Sequence, residues 1–445
     1  MKRYLTDRER RFERLHLPAA PCPAEPEMQL VKVYPHITFQ RIVGFGGALT
    51  EASGYVYAQM DASTRDEFIR LYFGEDGNRY SLGRLSLQSC DFSLGPRAYL
   101  QRASRNLEGF SLDDDFAYVL PLVFDALAAN PRLEFLASPW SPPAWAKSNR
   151  SMKRGGRLLR AHYGTWAALM ARFVAEYRAL GIPVTRLTVQ NEPGAVQTWE
   201  SCLFTAAQEG AFLRDHLKPA LRSAGLEDVK VLGWDHNKES ALDRTVALLA
   251  DERTAAELDG IAFHWYSGDH FEALQLVRNL LGPGRELIFS EGCDAYSAGD
   301  PADELPHAEH YAHEVIGDLQ AGANGVLDWN ILLDESGGPN HVGNFCDAPV
   351  MYDTSERRLN VRLPYYYLGH FSRFIQRGAR RVMSTRYTEA LETCAFENPD
   401  GSHALVALNR TDWAVPFSIT WGTRALSRRI ATTEAPPHSI QTIVW

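Results

Sequence analysis

The middle of the chain alternates short apolar, β-rich runs with amphipathic helical patterns. Apolar residues three and four positions apart mark the helices, as at Leu169, Phe173 and Tyr177. This alternation predicts parallel strands joined by crossover helices. The expected strands cover residues 42–48, 81–89, 134–138, 186–191, 229–234, 260–266, 286–291 and 325–333. The expected helices cover residues 62–73, 113–129, 159–180, 206–224, 239–250, 271–281, 307–321 and 365–376.

Two architectures can be built from such an alternation. Eight strand–helix units over about 330 residues fit a closed barrel with long loops. A doubly wound open sheet is the alternative, and it usually carries a Gly-rich phosphate turn after its first strand. The GFGG sequence at 44–47 does not match that G-x-G-x-x-G pattern. We therefore predict an α/β fold with a (β/α)₈ TIM barrel over residues 42–377.

The last part of the chain has a different pattern. Its β-rich segments are short and are separated by turn signals, such as ENPDGS at 397–402 and NRTD at 409–412. We predict an antiparallel β-sandwich side domain over residues 378–445. The strand-like run 28–40 has no helix partner. We therefore expect the N-terminal segment, residues 1–41, to contribute to the same sandwich.

The predicted sandwich has two possible roles. A structural brace is favoured, because only Trp413 and Trp421 are candidate aromatics for binding a sugar there. The charged run 8–14 is interpreted as a solvated helix or tail.

Charge and composition exclude several classes of partner. The chain has 55 acidic residues against 46 Lys and Arg, a net charge of −9, which opposes binding to nucleic acids and anionic membranes. No stretch approaches the ~18 uninterrupted apolar residues of a membrane span, so we expect no membrane insertion. The six cysteines lack paired spacing and no apolar run follows the basic N-terminus. We expect reduced thiols and a cytoplasmic location, with a trimmed signal peptide as the alternative. The sequence does not indicate the oligomeric state.

The ends of the predicted strands carry carboxylates, amides and aromatic rings, which is the mixture that sugars need. In a (β/α)₈ barrel, catalytic groups lie at the carboxyl ends of the strands. We expect no cofactor, since Gly-rich phosphate turns do not occur at these ends. Asp235, His236 and His264 leave a metal site open as an alternative, although their spacing alone favours no metal. Cys202 and Cys293 are interpreted as packing thiols, because no partnered base is evident.

Two glutamates end strands on opposite sides of the predicted barrel mouth. Glu192 follows the fourth strand and Glu291 ends the seventh. Paired carboxylates flanking a glycosidic bond act as acid and nucleophile, and a gap of about 5–5.5 Å permits retention of configuration. Burial among Trp rings and the nearby anion are expected to raise the pKa of Glu192. Glu291 has to stay ionised, and Tyr266 is a candidate donor to it.

The chain resembles glycoside hydrolase family 30, the family of glucosylceramidase. The blocks that carry the resemblance span nearly the whole chain in order. They are GFGGALTEA (44–52), SCDFSLGPRAY (89–99), ASPWSPPAWAKSN (137–149), QNEP (190–193), FHWY (263–266), SEGC (290–293), DWNILLDESGGPN (328–340) and LGHFSRFI (368–375). The fold that this resemblance implies is a TIM barrel with a side β-sandwich built from both termini.

The resemblance also implies roles for individual residues. Glu192 matches the acid/base and Glu291 the nucleophile. Arg84 is expected beneath these glutamates, orienting one of them or forming a structural ion pair. The residues that match substrate-contacting positions are Asp91, Trp140, Asn191, Tyr266, Trp329 and Asn344. Two further candidates rest on this sequence itself: Trp199, as a platform for a second sugar or another aglycone, and His264, with a core histidine as the alternative.

The loop GAVQTWESC (194–202) differs from that of the mammalian lysosomal enzyme in the family. We therefore expect a small soluble β-glucoside, β-xyloside or oligosaccharide rather than a membrane lipid. The leading hypothesis is a retaining exo-β-glycosidase. An endo-acting β-1,6-glucanase or xylanase is the alternative within the class. A non-catalytic carbohydrate-binding protein is the alternative outside it.

Overall fold

A computed structural model describes residues 1–23, 29–296, 303–422 and 428–445. The first strands lie before the barrel and are β1 (Lys2–Thr6), β2 (Glu13–His16), β3 (Ala20–Pro21) and β4 (Leu30–Arg41). The barrel strands are β5 (Gly44–Ala48), β6 (Leu82–Leu87), β7 (Glu134–Pro139), β8 (Val184–Thr188), β9 (Lys230–Asn237), β10 (Gly260–His264), β11 (Glu286–Glu291) and β12 (Gly325–Asp328). The remaining strands are β13 (Leu333–Asp334), β14 (Val350–Asp353), β15 (Arg358–Val361), β16 (Arg380–Thr385), β17 (Glu392–Glu397), β18 (His403–Asn409), β19 (Val415–Trp421), β20 (Arg429–Ala435) and β21 (Ser439–Val444).

The helices follow the barrel strands and cover its outer face. They are α1 (Glu51–Ala58), α2 (Ala62–Phe73), α3 (Asp113–Ala117), α4 (Val119–Ala129), α5 (Tyr163–Ala179), α6 (Ala206–Phe212), α7 (Lys218–Ser223), α8 (Ala241–Leu249), α9 (Glu252–Glu257), α10 (Phe271–Leu281), α11 (Leu305–Ala321) and α12 (Leu363–Ser372). A π-helical turn at Leu213–Leu217 joins α6 to α7, so the single helix predicted over 206–224 is interrupted in its middle. Helix α1 was not expected. Thr50 caps its start by accepting a hydrogen bond from the Ser53 amide.

Strands β5 to β12 pair in parallel and close into a barrel, which confirms the predicted fold class. The first two strands approach closely at Gly46, where a Cβ atom would lie 1.5 Å from the carbonyl oxygen of Leu82. Only glycine permits that approach. Apolar side chains from six of the strands fill the inside of the barrel as a dry layer below the mouth. They are Leu82, Leu136, Leu232, Ala262, Ile288 and Leu327.

The side domain is built from both ends of the chain. Its ten strands run in the order β2-β1-β21-β18-β17-β16-β4-β19-β20-β3. Strand β4 is central, since it pairs antiparallel with β16 and parallel with β19. The domain has its own apolar core around Val31, Val382, Leu405 and Phe417.

The interpretation of residues 8–14 as a helix or tail is wrong. Strands β1 and β2 form an antiparallel hairpin in which Lys2 pairs with His16 and Leu5 with Glu13. Asp7 makes the turn, because its Oδ1 accepts hydrogen bonds from the amides of Glu9 and Arg10 at 3.0 and 2.8 Å. Within the described ranges, none of the helices has the length and apolar character of a membrane span.

Candidate active site

The two glutamates meet at the carboxyl end of the barrel. Glu192 lies four residues after β8 and Glu291 is the last residue of β11. They are 8% and 6% exposed. Glu192 has a left-handed backbone, with φ 46°, and its amide donates to the carbonyl of Asp235 at 2.9 Å. This bond to the neighbouring strand holds the unusual conformation, which turns the side chain into the mouth.

His264 lies between the two carboxylates. Its Nδ1 is 3.7 Å from Oε1 of Glu192 and 3.8 Å from Oε1 of Glu291. The two carboxylate oxygens are therefore separated by at most the sum of these distances. That limit excludes the upper part of the range of about 6.5–9.5 Å that inverting glycosidases use. A sugar ring can contact both groups.

A buried charge network lies beneath the glutamates. The guanidinium of Arg84 forms an ion pair with Glu291 and donates to Asp235 at 3.0 Å and to Oδ1 of Asn191 at 2.9 Å. Asp235 in turn accepts from Ser290 at 2.6 Å and contacts Nε2 of His264 at 3.0 Å. The sequence predicts that Arg84 orients either Glu192 or Glu291. In the structure, its guanidinium contacts Glu291.

A bulge in β9 puts Asp235 into this network. Trp234 and Asp235 both have left-handed backbones, with φ 69° and 57°, and the register with β10 shifts between Ala262 and Phe263. A bulge re-aims the side chains that follow it. Asp235, taken alone, resembled a metal ligand in the sequence, but it is a buried partner of Arg84.

Glu291 has a second donor in Tyr266, as predicted for that tyrosine. The hydroxyl of Tyr266 donates to Oε1 of Glu291 at 3.0 Å, while Arg84 pairs with Oε2. Each oxygen of the carboxylate therefore has its own donor. Two donors on different oxygens hold the plane of the carboxylate in one orientation.

The expectation of a raised pKa for Glu192 is wrong for this state of the protein. Burial raises that pKa, but the neighbouring His264, His236 and the Gln197 amide outweigh it, and the net direction is down. The pKa of His264 itself is raised to about 9, since burial, which lowers it, is outweighed by Glu291, Asp235 and Glu192. A proton near neutral pH is therefore held on the imidazole rather than on the acid.

Glu192, His236 and His264 form the one group of metal-ligand type found in the described part of the chain. Its side-chain ligand atoms lie within 4.8 Å of one another. Glu192 and His264 are also titratable groups 3.7 Å apart, so the same group can take part in proton transfer.

A cavity of about 330 Å³ opens directly above the two glutamates. Trp140 and Trp329 form one wall, with their rings stacked at 5.1 Å and the Arg84 guanidinium 4.8 Å from the Trp140 ring. Arg84 and His264 are fully buried and do not line it, so His264 contacts Glu192, Glu291 and Asp235 rather than the cavity that its predicted substrate contact requires. The other predicted site residues all line it, and these are Asp91, Trp140, Asn191, Glu192, Trp199, Tyr266, Glu291, Trp329 and Asn344.

Asp91 and Asn344 form a polar corner of the cavity. Nδ2 of Asn344 donates to Oδ2 of Asp91 at 3.1 Å, across two loops that are far apart in sequence. Burial and then the charge of Glu291 raise the pKa of Asp91 to about 7. A carboxyl and an amide side by side offer the acceptors and donors that a sugar hydroxyl needs.

Several cavity residues were not predicted. His236 follows the Asp235 bulge, with Nδ1 3.7 Å from Oε1 of Glu192, and its place at a strand end was a usable signal. Gln197 donates to Oε2 of Glu192 at 3.1 Å from a loop that has no local signature. The remaining unpredicted lining residues are Asn237, Cys293, Ala295, Phe345 and Cys346.

A closed parallel barrel with paired carboxylates, an aromatic wall and a polar corner at its mouth defines a glycoside hydrolase. The family model described as the glycosyl hydrolase family 30 TIM-barrel domain matches residues 42–375. The model described as the family 30 beta sandwich domain matches residues 378–443. The chain therefore belongs to glycosyl hydrolase family 30, which confirms the resemblance found in its sequence blocks.

Three similar proteins illustrate this relationship. The lysosomal acid glucosylceramidase of Mus musculus is 32% identical over 440 residues, which cover 94% of this chain and 83% of the mouse protein. The structure of SrfJ from Salmonella typhimurium is 38% identical with a TM-score of 0.95, covering 100% of this chain and 99% of SrfJ. The endo-β1,6-glucanase BT3312 is 26% identical with a TM-score of 0.89, covering 100% and 99%.

Proposed function

We propose that the protein is a retaining exo-β-glycosidase that hydrolyses small β-glucosides or β-xylosides. Glu291 is the nucleophile and Glu192 the acid/base. The observation that carries the proposal is the position of His264, less than 4 Å from an oxygen of each glutamate. The spacing that this position allows includes the gap of about 5–5.5 Å at which one carboxylate attacks the sugar directly.

The first step forms a glycosyl-enzyme. An oxygen of Glu291 bonds to the anomeric carbon, the bond from that carbon to the leaving oxygen breaks, and Glu192 gives its proton to that oxygen. In the second step Glu192 takes a proton from water, and the water oxygen attacks the anomeric carbon and releases Glu291. Arg84 and Tyr266 hold the Glu291 carboxylate in one orientation for the attack.

The proton on Glu192 depends on what fills the cavity. In the free protein, the Gln197 amide and the charge of His264 favour the ionised form of Glu192. A bound sugar displaces water and takes the place of the Gln197 donor, so we expect the pKa of Glu192 to rise on binding. Conversion of Glu291 to a neutral ester then removes the largest influence that raises the pKa of His264.

The small cavity favours exo action on one terminal sugar. Its volume of about 330 Å³ is at the lower end of ligand sites, which run from about 300 to 1,000 Å³. Trp199 and Gln197 also line it, and Gln197 contacts Glu192, the proposed acid that protonates the leaving group. Glucose and xylose differ by one hydroxymethyl group, which is worth only about 1–3 kcal/mol in a pocket.

The test is a panel of aryl β-D-glycosides of glucose, xylose, galactose and fucose. The anomer released first is followed by NMR. We expect release of the β-anomer, and loss of turnover in Glu291→Gln with the fold intact by circular dichroism. Release of the α-anomer would contradict the double displacement. Failure to release any sugar would favour the carbohydrate-binding alternative.

An endo-acting β-1,6-glucanase is the second candidate, because the structure of the endo-β1,6-glucanase BT3312 matches the whole chain. A β-1,6-linked glucose hexamer separates the two modes. Exo action yields glucose and a shortened chain from the first minutes, whereas endo action yields oligomers of intermediate length. Glucosylceramide in detergent belongs in the same experiment, since the mouse relative is a glucosylceramidase.

A further inference from the structure

Two thiols lie in contact in the wall of the cavity. Cys293 comes two residues after Glu291, and Cys346 lies in the loop between β13 and β14. Their sulfur atoms are 2.8 Å apart, and the residues are 7% and 6% exposed. Both line the cavity, so a small molecule that enters it reaches them. The proposed glycosidase mechanism uses neither thiol.

The backbone on both sides holds this contact in place. Ala295 and Cys346 form an antiparallel bridge, and the amide of Asp347 donates to the carbonyl of Asp294 at 2.8 Å. On the Cys293 side, Nε1 of Trp265 donates to the Cys293 carbonyl at 3.3 Å. The two segments are already paired, so joining the sulfurs needs a shift of less than about 1 Å toward the ~2.05 Å of a disulfide bond.

We propose that Cys293 and Cys346 are an oxidisable dithiol, a modification site at which a small disulfide entering the cavity is exchanged for a disulfide within the protein. One cysteine sulfur attacks the small disulfide, forms a mixed disulfide and releases one small thiol. The second cysteine sulfur then attacks its neighbour and releases the second small thiol. The protein loses two electrons and two protons, and both reach the released thiols.

The Cys293–Cys346 disulfide joins two segments that line the cavity. The segment after β11 carries Glu291, and the loop that holds Cys346 also holds Asn344, whose amide contacts Asp91. The bond closes a loop of more than fifty residues, since the cysteines are 53 positions apart. A cross-link over that length restricts the unfolded chain and raises the melting temperature of a protein of this size by about 3–5 °C.

Burial slows the exchange. It raises the pKa of the Cys293 thiol, which leaves little thiolate at neutral pH. The reaction should therefore be faster at pH 9 than at pH 7. Cys90, Cys202 and Cys394 are buried and do not line the cavity, and Cys22 lies in the side domain, so these four thiols provide internal controls.

The experiment incubates the full-length protein with bis(2-hydroxyethyl) disulfide at pH 8.5. Intact mass, a peptide map and the melting temperature are then recorded. We expect a loss of about 2 Da, a cross-linked peptide joining residues 293 and 346, a rise in melting temperature, and reversal of all three by dithiothreitol. Retention of six alkylatable thiols after unfolding, or a cross-link between other cysteines, would overturn the proposal.

Two variants sharpen the result. Cys346→Ser leaves Cys293 without a partner thiol, so its reaction should stop at the mixed disulfide with a gain of about 76 Da and no rise in melting temperature. Cys22→Ser is the matched control and should behave as the wild type. A rise in melting temperature that persists in Cys346→Ser would contradict the assignment. The peptide map of the wild type decides the question if that variant does not fold.

Discussion

The side-chain amide of Gln197 donates a hydrogen bond to Oε2 of Glu192 at 3.1 Å. Only an ionised carboxylate accepts fully from this donor, so Gln197 favours the charged form of Glu192. It also lines the cavity beside Glu192. A loop residue with no counterpart among the predicted site residues therefore helps to set the protonation of the proposed acid.

Gln197→Ala should move the pH dependence of the enzyme. Loss of the donor raises the pKa of Glu192, and kcat/KM falls where that acid loses its proton. We expect the alkaline limb of the kcat/KM profile for an aryl β-glucoside to move up by about one pH unit or less. Gln101→Ala removes an exposed amide outside the cavity and serves as the control. An unchanged profile in Gln197→Ala would contradict this role.

Tyr266→Phe should weaken the nucleophile without disturbing the fold. The variant removes the one hydroxyl that donates to Oε1 of Glu291 and leaves Arg84 on Oε2. We expect kcat/KM to fall by about 10- to 100-fold, in line with the loss of one positioned donor to a charged group. Tyr387→Phe is the control, because that hydroxyl donates to Pro416 in the side domain. Equal losses in the two variants would argue against the assignment.

The barrel could be predicted because its signals are local. Helices α2 and α10 begin and end where the sequence indicated, since Asp61 caps the first and Gly282 ends the second. Short apolar runs ending in a carboxylate or amide identified the strand ends, and so Glu192 and Glu291. The rule that polar residues at strand ends form the site therefore found Glu192 and Glu291, but not His236 and Asn237 at the end of β9.

The remaining features depend on contacts between distant segments. The N-terminal hairpin was missed because its turn is made by Asp7, in a run dominated by charged residues. The pKa of Glu192 was predicted in the wrong direction because a different strand places His264 beside it. Gln197 lies in a loop whose position is fixed by a backbone contact, in which the amide of Arg154 donates to the Gln197 carbonyl at 3.0 Å. Periodicity carries no information about such contacts.

His264 should make stability depend on pH. Its pKa in the folded protein is about 9, above the ~6.5 of an unfolded chain. The stabilisation of the folded state by the charged His264 ring is therefore fully present below pH 6.5 and is lost as the pH rises through 9. We expect the free energy of unfolding of the wild type to exceed that of His264→Asn by about 1–3 kcal/mol at pH 6.5, and we expect a smaller difference at pH 9.5. Urea unfolding at both pH values measures this, and a difference that stays constant would contradict the charged imidazole.

Arg84→Lys should separate the active-site role of this arginine from its contribution to the fold. A lysine keeps the charge but cannot bridge Glu291, Asp235 and Asn191 with one planar group. We expect kcat/KM to fall by about 100-fold and the melting temperature to fall as well. Arg186→Lys is the matched control, because Arg186 is a buried barrel arginine paired with Glu134 and Glu286. Arg186→Lys should lower the melting temperature but leave kcat/KM within about twofold of the wild type, because this ion-pair cluster does not border the cavity. If both variants lost activity in proportion to their stability, Arg84 would be a structural residue only.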